Sequence, residues 1–141
     1  MKIWRVVLLP VLLLSLGAAT AQPAQAAAAV QKKILVDYRK QGGFAGFEDR
    51  VIVYTNGCLR LSRRTGPTID KCATRGEMRK LRAHLKRLRI GHSETPPQGA
   101  DFLRYTLSYK GHRASRYNLT ASWTPVVADL DRFMTKYWAP D

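Results

Sequence analysis

Short alternating segments closed by glycine-bearing turns restrict this chain more than anything else in it. Ile34, Val36 and Tyr38 alternate with Leu35, Asp37 and Arg39. That period of two puts one face of a strand in the core and the other in water. Val51 to Tyr54 is a β-branched second strand, and Asn56-Gly57 is a hairpin turn in which both residues tolerate positive φ. Cys58 to Ser62 returns as a third strand with Leu59 and Leu61 on one face. Phe102 to Tyr109 forms a fourth, with Leu103, Tyr105, Leu107 and Tyr109 together. Lys110-Gly111 turns the chain into a fifth strand with Ser115, Tyr117 and Leu119 on one side. Arg60, Arg104 and Arg116 are assigned to the solvated faces of these strands.

Two segments change period. Thr74 and Glu77 have capping-box spacing. Met78, Leu81, Leu85 and Leu88 then recur at helical steps until Ile90-Gly91. Thr124-Pro125 reads as an N-cap followed by proline at the first helical position. Val126, Val127, Leu130, Phe133, Met134 and Tyr137 give the second helix a broad apolar face. Residues 63–74 and 91–100 read as polar connections. The order is therefore β-β-β-α-β-β-α, an α+β fold with an antiparallel sheet of about five strands and two packed helices.

The front of the chain has a different purpose. Lys2 and Arg5 precede an apolar run from Val6 to Leu16, broken by Pro10, and small residues follow. That is a secretory signal, too short for the roughly 20 apolar residues of a spanning helix. Ala24-Gln25-Ala26 is the best cleavage site, giving a leader at 1–26 and one domain at 27–141 with no transmembrane anchor after cleavage. Removing Lys2 and Arg5 from the 24 basic residues leaves 22 against 10 acidic ones, a charge of about +12. Such a charge favours acidic partners. Outside the cytoplasm the two cysteines, Cys58 and Cys72, are expected to form a disulfide. A secreted, extracytoplasmic protein follows.

No catalytic constellation, cofactor motif or metal-ligand spacing is present in the sequence, so a non-enzyme is expected. His84, His92 and His112 are isolated and read as solvated side chains. Asp129 and Asp131 read as complements to a helix dipole. Arg75, Arg79, Arg82, Lys86 and Arg89 fall within about 80° of one another on a helix turning about 100° per residue. This basic band is either a solvated face or a surface for an anionic envelope polymer or an acidic protein. Nucleic acid is not expected as a partner, because no aromatic recognition motif or helix-turn-helix accompanies the charge.

The segment from Tyr38 to Phe47 is the most distinctive. Gly42, Gly43 and Gly46 surround Phe44 and Ala45, and Phe47 closes the run. Either the phenylalanines fold back into the core, or a tight hairpin presents them as anchors for a partner's pocket. Asp37 to Gly46, with the later Ala100-Asp101-Phe102-Leu103-Arg104-Tyr105-Thr106-Leu107 and Pro125, resembles the emfourin-like (protealysin inhibitor) family over roughly residues 33–135. The resemblance implies a small α+β inhibitor of thermolysin-like zinc metallopeptidases, binding the active-site cleft through Gly42, Gly43, Phe44, Ala45 and Gly46. It also implies a use for Phe44, since those enzymes prefer a bulky apolar residue after the scissile bond. The leader, the cysteine pair and the very basic middle helix depart from the family pattern.

Overall fold

A computed structural model describes residues 32–99 and 101–138. The leader assigned to residues 1–26 and the alanine-rich stretch after it lie outside the described residues. Eight elements follow in order: β1 (Ile34–Gly42), β2 (Phe47–Tyr54), β3 (Cys58–Arg63), β4 (Ile69–Cys72), α1 (Arg75–Arg87), β5 (Leu103–Tyr109), β6 (His112–Arg116) and α2 (Thr124–Tyr137). The α+β class stands, and the sheet gains a sixth strand. Its order is β4-β3-β2-β1-β5-β6, with every neighbouring pair antiparallel.

The added strand, β4, falls in the stretch read as a polar connection. It is four residues long and mostly exposed, so it has no apolar alternation to reveal it. Its partner fixes it instead: Cys58 pairs opposite Cys72, and the two form a disulfide. A disulfide of this kind belongs to oxidising, extracytoplasmic compartments. No helix among the described residues is long and apolar enough to cross a membrane.

One face of the sheet carries Val36, Tyr38, Val51, Val53, Leu59, Leu61, Leu107 and Ala114, all buried. Met78, Leu81 and Leu85 of α1 and Val126, Val127, Leu130, Phe133 and Met134 of α2 close over it, with Trp123 beside them. Each large side chain so buried contributes about 1.5–3 kcal/mol. The other face is polar and laced by fork-to-fork pairs, Arg50 with Asp37 and Arg60 with Asp70.

Several local readings change. Ile34 is 51% exposed, because the β1–β2 register shifts between Ile34 and Val36. In β6 the buried residue is Ala114; Ser115 faces the opposite side, its hydroxyl 2.8 Å from that of Thr106, and Tyr117 and Leu119 lie past the strand. Arg116 shares the face of Ala114 rather than the solvated one, stacking over Trp123 and pairing with Glu94 at 3.0 Å. At Asn56-Gly57 only the glycine has positive φ, while the Asn56 side chain accepts from the Cys58 N–H. Helix α1 ends at Arg87, three residues early, although Ile90 still buries.

The capping box of α1 is present, and Glu77 does more than cap. Its Oε2 accepts from the Thr74 N–H at 2.8 Å and from the Tyr137 hydroxyl at 2.6 Å, and its Oε1 accepts from Lys136 at 2.7 Å. Burial opposes the charge, but the hydrogen bonds from Lys136, Tyr137 and Thr74 outweigh it and lower the carboxyl from 4.5 to about 2. At α2 the cap position is Trp123 with no side-chain cap, and the Thr124 hydroxyl donates to the Thr120 carbonyl. Asp129 and Asp131 do not serve the helix dipole, since both lie beyond the first turn. Buried Asp129 accepts from Arg132 at 2.9 Å and lies 2.6 Å from His84 Nδ1, so His84 is an interhelical contact rather than a solvated residue.

These contacts set the layout. His84 opposite Asp129 and Glu77 opposite Lys136 make α1 and α2 antiparallel neighbours. Asp131 of α2 reaches Tyr38 and Lys40, towards the β1–β2 hairpin. Helix α1 lies at the other end of the strands: Met78 sits beside Gly57 and Arg82 donates to the Thr55 carbonyl.

Candidate functional site

The β1–β2 hairpin closes through Gly43, Phe44, Ala45 and Gly46, with the Gly46 N–H donating to the Gly43 carbonyl at 2.8 Å. Phe44 stands at the tip and is 92% exposed, the most exposed large apolar side chain among the described residues. The ring is therefore presented rather than folded back. Phe47 differs. It begins β2, is half-buried, and lies under the Lys40 ammonium, which sits 4.7 Å from its ring centre. Phe47 thus supports the hairpin instead of crowning it.

Glycine is required at two places here. A Cβ on Gly42 would sit 2.6 Å from the carbonyl oxygen of Phe102, the residue before β5, and φ at Gly42 is +90°. At Gly46, φ is +55° and a Cβ would meet the Arg64 guanidinium at 2.9 Å. Any side chain at either position would push the hairpin away from its supports.

Those supports come from distant parts of the chain. Arg64, in the β3–β4 turn, donates from Nε to the Gly46 carbonyl at 2.7 Å. Arg63 grips buried Asp49 through two bonds, at 2.8 and 3.0 Å. Lys40 and the Tyr38 hydroxyl both donate to Asp131 of α2, at 3.1 and 2.9 Å. Burial first, then the Asp131 charge, push the Tyr38 phenol well above its ordinary range, so it stays a neutral donor. A tip held in this way loses little freedom on binding.

Beside the tip lies a recess of about 240 Å3 bounded by Gln41, Gly42, Pro97, Phe102 and Arg104. Phe102 is 45% exposed, so two of the three exposed large apolar side chains among the described residues stand at this end of the sheet. The connection that walls the recess is pinned by Glu94. Its Oε2 accepts the Tyr117 and Asn118 N–H groups, and these bonds hold its carboxyl below the usual range. Sequence reading gives Arg64 and Phe102 no role at the hairpin, and it reads Asp131 as a helix-dipole complement rather than as a brace. Arg64 follows a strand by one residue and carries no motif; only the fold brings it to the hairpin.

The basic residues gather elsewhere. Arg75, Arg79, Arg82 and Lys86 are exposed along α1, and Arg89 is exposed in the connection beyond its end. Only Arg82 is tied down, by its bond to Thr55. The band and the Gly-rich tip are thus two separate surfaces at opposite ends of the strands. No group of three or more potential metal ligands clusters among the described residues.

Compared with protein-family models, with curated proteins and with solved structures, the chain finds no match. The emfourin-like resemblance therefore rests on the residues quoted for it.

Proposed function

We propose that this chain is a secreted proteinaceous inhibitor of a thermolysin-like zinc metallopeptidase, and that the hairpin tip from Gly42 to Gly46 enters the enzyme's cleft. The observation that carries the reading is a phenylalanine 92% exposed at the summit of a braced hairpin. An apolar ring left in water on a rigid support is a cost to a free protein and an anchor in a complex. The specificity implied by the family resemblance, a bulky apolar residue after the scissile bond, fits Phe44.

No chemistry by the inhibitor is needed. Phe44 would fill the apolar pocket and Gly43 and Ala45 would let enzyme backbone approach closely. Peptide substrates bind proteases extended, whereas the Gly46 to Gly43 bond and the Arg64 brace hold this segment in a closed turn. The scissile position would then be occupied without being aligned for attack. The disulfide supports release into an oxidising compartment, where such an enzyme would be met.

Titration of several thermolysin-like enzymes with the mature domain tests the reading. Competitive inhibition with a peptide substrate is expected at or below micromolar concentration. Full activity of every enzyme in the presence of micromolar protein would refute it.

A further inference from the structure

We infer that the α1 end of the molecule is a second, independent binding surface, shaped for a linear anionic polysaccharide. Charge distribution is the first observation. Near the hairpin tip and along the sheet behind it, Lys40 is matched with Asp131, Arg63 with Asp49 and Arg50 with Asp37, while Arg64 and Arg104 are held by the Gly46 carbonyl and the Gln41 amide oxygen. Along α1 only Lys80 and His84 reach a carboxylate among the described residues, that of Asp129. Among the described residues, Arg75, Arg79, Arg82, Lys86, Arg87 and Arg89 form no ion pair, while Glu77 faces α2.

Shape is the second observation. Helix α1 runs from the β2–β3 turn to the β5–β6 turn, about 20 Å for its 13 residues. A recess of about 300 Å3 lies at its start, bounded by Gly57, Arg75, Arg79 and Arg82. Another, of about 330 Å3, lies at its end, bounded by Lys86, Lys110 and His112. Steps of three and four residues space the cations by about 4.5–6 Å along the axis. A sugar chain bearing regularly spaced carboxylate or sulfate groups meets such a row repeatedly. Arginine forks suit those planar or tetrahedral anions.

Chemistry separates this occupant from others. A membrane-surface helix needs an apolar face to insert. Here Met78, Leu81 and Leu85 are already spent in the core, and among the described residues only Ile34 is an exposed large apolar side chain at this end. Single-stranded nucleic acid wants several exposed rings for stacking, but of the two rings in the row's recesses among the described residues Tyr109 is half-buried under Lys110, which leaves the His112 imidazole alone exposed there. The surface stands independently of the metallopeptidase reading. Where both hold, the molecule is retained on an anionic matrix by one end while Phe44 remains free at the other.

The test compares two charge-reversed doubles of equal net charge in the mature protein, first matched for thermal unfolding. Arg75→Glu with Arg79→Glu alters the row; Arg39→Glu with Arg104→Glu alters the polar sheet face. Affinity for heparin and for polygalacturonate is measured from about 50 to 500 mM salt, across which the Debye length falls several-fold. The α1 double is expected to bind both polysaccharides at least about tenfold more weakly, the sheet double less than about threefold, and wild-type binding to fall steeply with salt. Phe44→Ala should leave retention unchanged. Equal weakening by both doubles, or salt-independent binding, would overturn the surface. Tighter binding to duplex DNA or to phosphatidylglycerol vesicles than to either polysaccharide would overturn its assignment to sugar chains.

Discussion

The two ends of the strands solve opposite problems. At the β1–β2 end an apolar ring is exposed while the surrounding charges pair off: Arg63 on Asp49, Lys40 on Asp131, Arg64 on a backbone carbonyl. At the α1 end the apolar side chains are consumed in the core and the charges are left over. One end is braced, with its cations held by carboxylates or neutral oxygens, which suits filling a pocket. The other is a field of like charge, which suits a polymer. Strand β2 joins them, its eight residues holding the two surfaces about 26 Å apart.

The sharpest way to break this comparison is Phe44→Ala. It should weaken inhibition by roughly 30- to 1,000-fold, as loss of a central anchor does. Thermal stability and polysaccharide retention should stay at wild-type values, because the ring touches no core residue.

Removing the disulfide probes the other end. Cys58→Ser with Cys72→Ser opens a loop of 14-residue separation and should cost about 3 kcal/mol of stability by denaturant unfolding. Both sulfurs belong to the α1 end of β3 and β4, away from the tip. The inhibition constant of the folded fraction should therefore move by less than about threefold.

Loosening the tip without touching its ring sharpens the same point. Arg64→Ala removes the bond to the Gly46 carbonyl. Inhibition should weaken by about three- to tenfold, the net scale of one solvent-exposed hydrogen bond, with faster dissociation from the enzyme.

The smallest effect is one of pH. The Glu77 carboxyl lies at about 2 in the folded protein and near 4.5 when free. Its contribution is fully present above pH 4.5 and is lost as pH falls towards 2. Glu77→Gln should therefore lower stability at pH 7 and flatten the decline between about pH 5 and pH 2. Because Glu77 joins α1 to α2, inhibition at pH 7 should survive wherever the variant stays folded.

How much of this the sequence carried depends on the range of the interaction. Local signals were legible: the alternation through Val36 and Tyr38, the Thr74–Glu77 capping box, the stripe of Met78, Leu81 and Leu85, and the glycines of the tip. The cysteine pairing was also legible, because only two cysteines exist. Strand β4 was not, since an exposed edge strand of four residues has no periodic face. Tyr117 and Leu119 place Ser115 on an apolar face by alternation, but that alternation runs past the true end of β6. His84, Asp129 and Asp131 looked solvated or local. Their partners lie 45 and more than 90 residues away, and only the packing of α1 against α2 and of α2 against the sheet brings them together. The exposure of Phe44 was an open choice for the same reason: whether a ring at a hairpin tip folds inward depends on what packs beneath it, and here Phe47 is the ring that lies against the hairpin, under Lys40.

A photo-crosslinker most directly tests the claim that the tip enters an enzyme's cleft. p-Benzoylphenylalanine is placed at position 44 in one preparation and at position 79 in another, and each is irradiated with a thermolysin-like enzyme. The label at 44 should attach to the walls of the substrate cleft, and a small zinc-binding active-site inhibitor should abolish the attachment, while the label at 79 yields none. Crosslinking from 79 but not from 44, or from 44 regardless of a filled active site, would contradict the account.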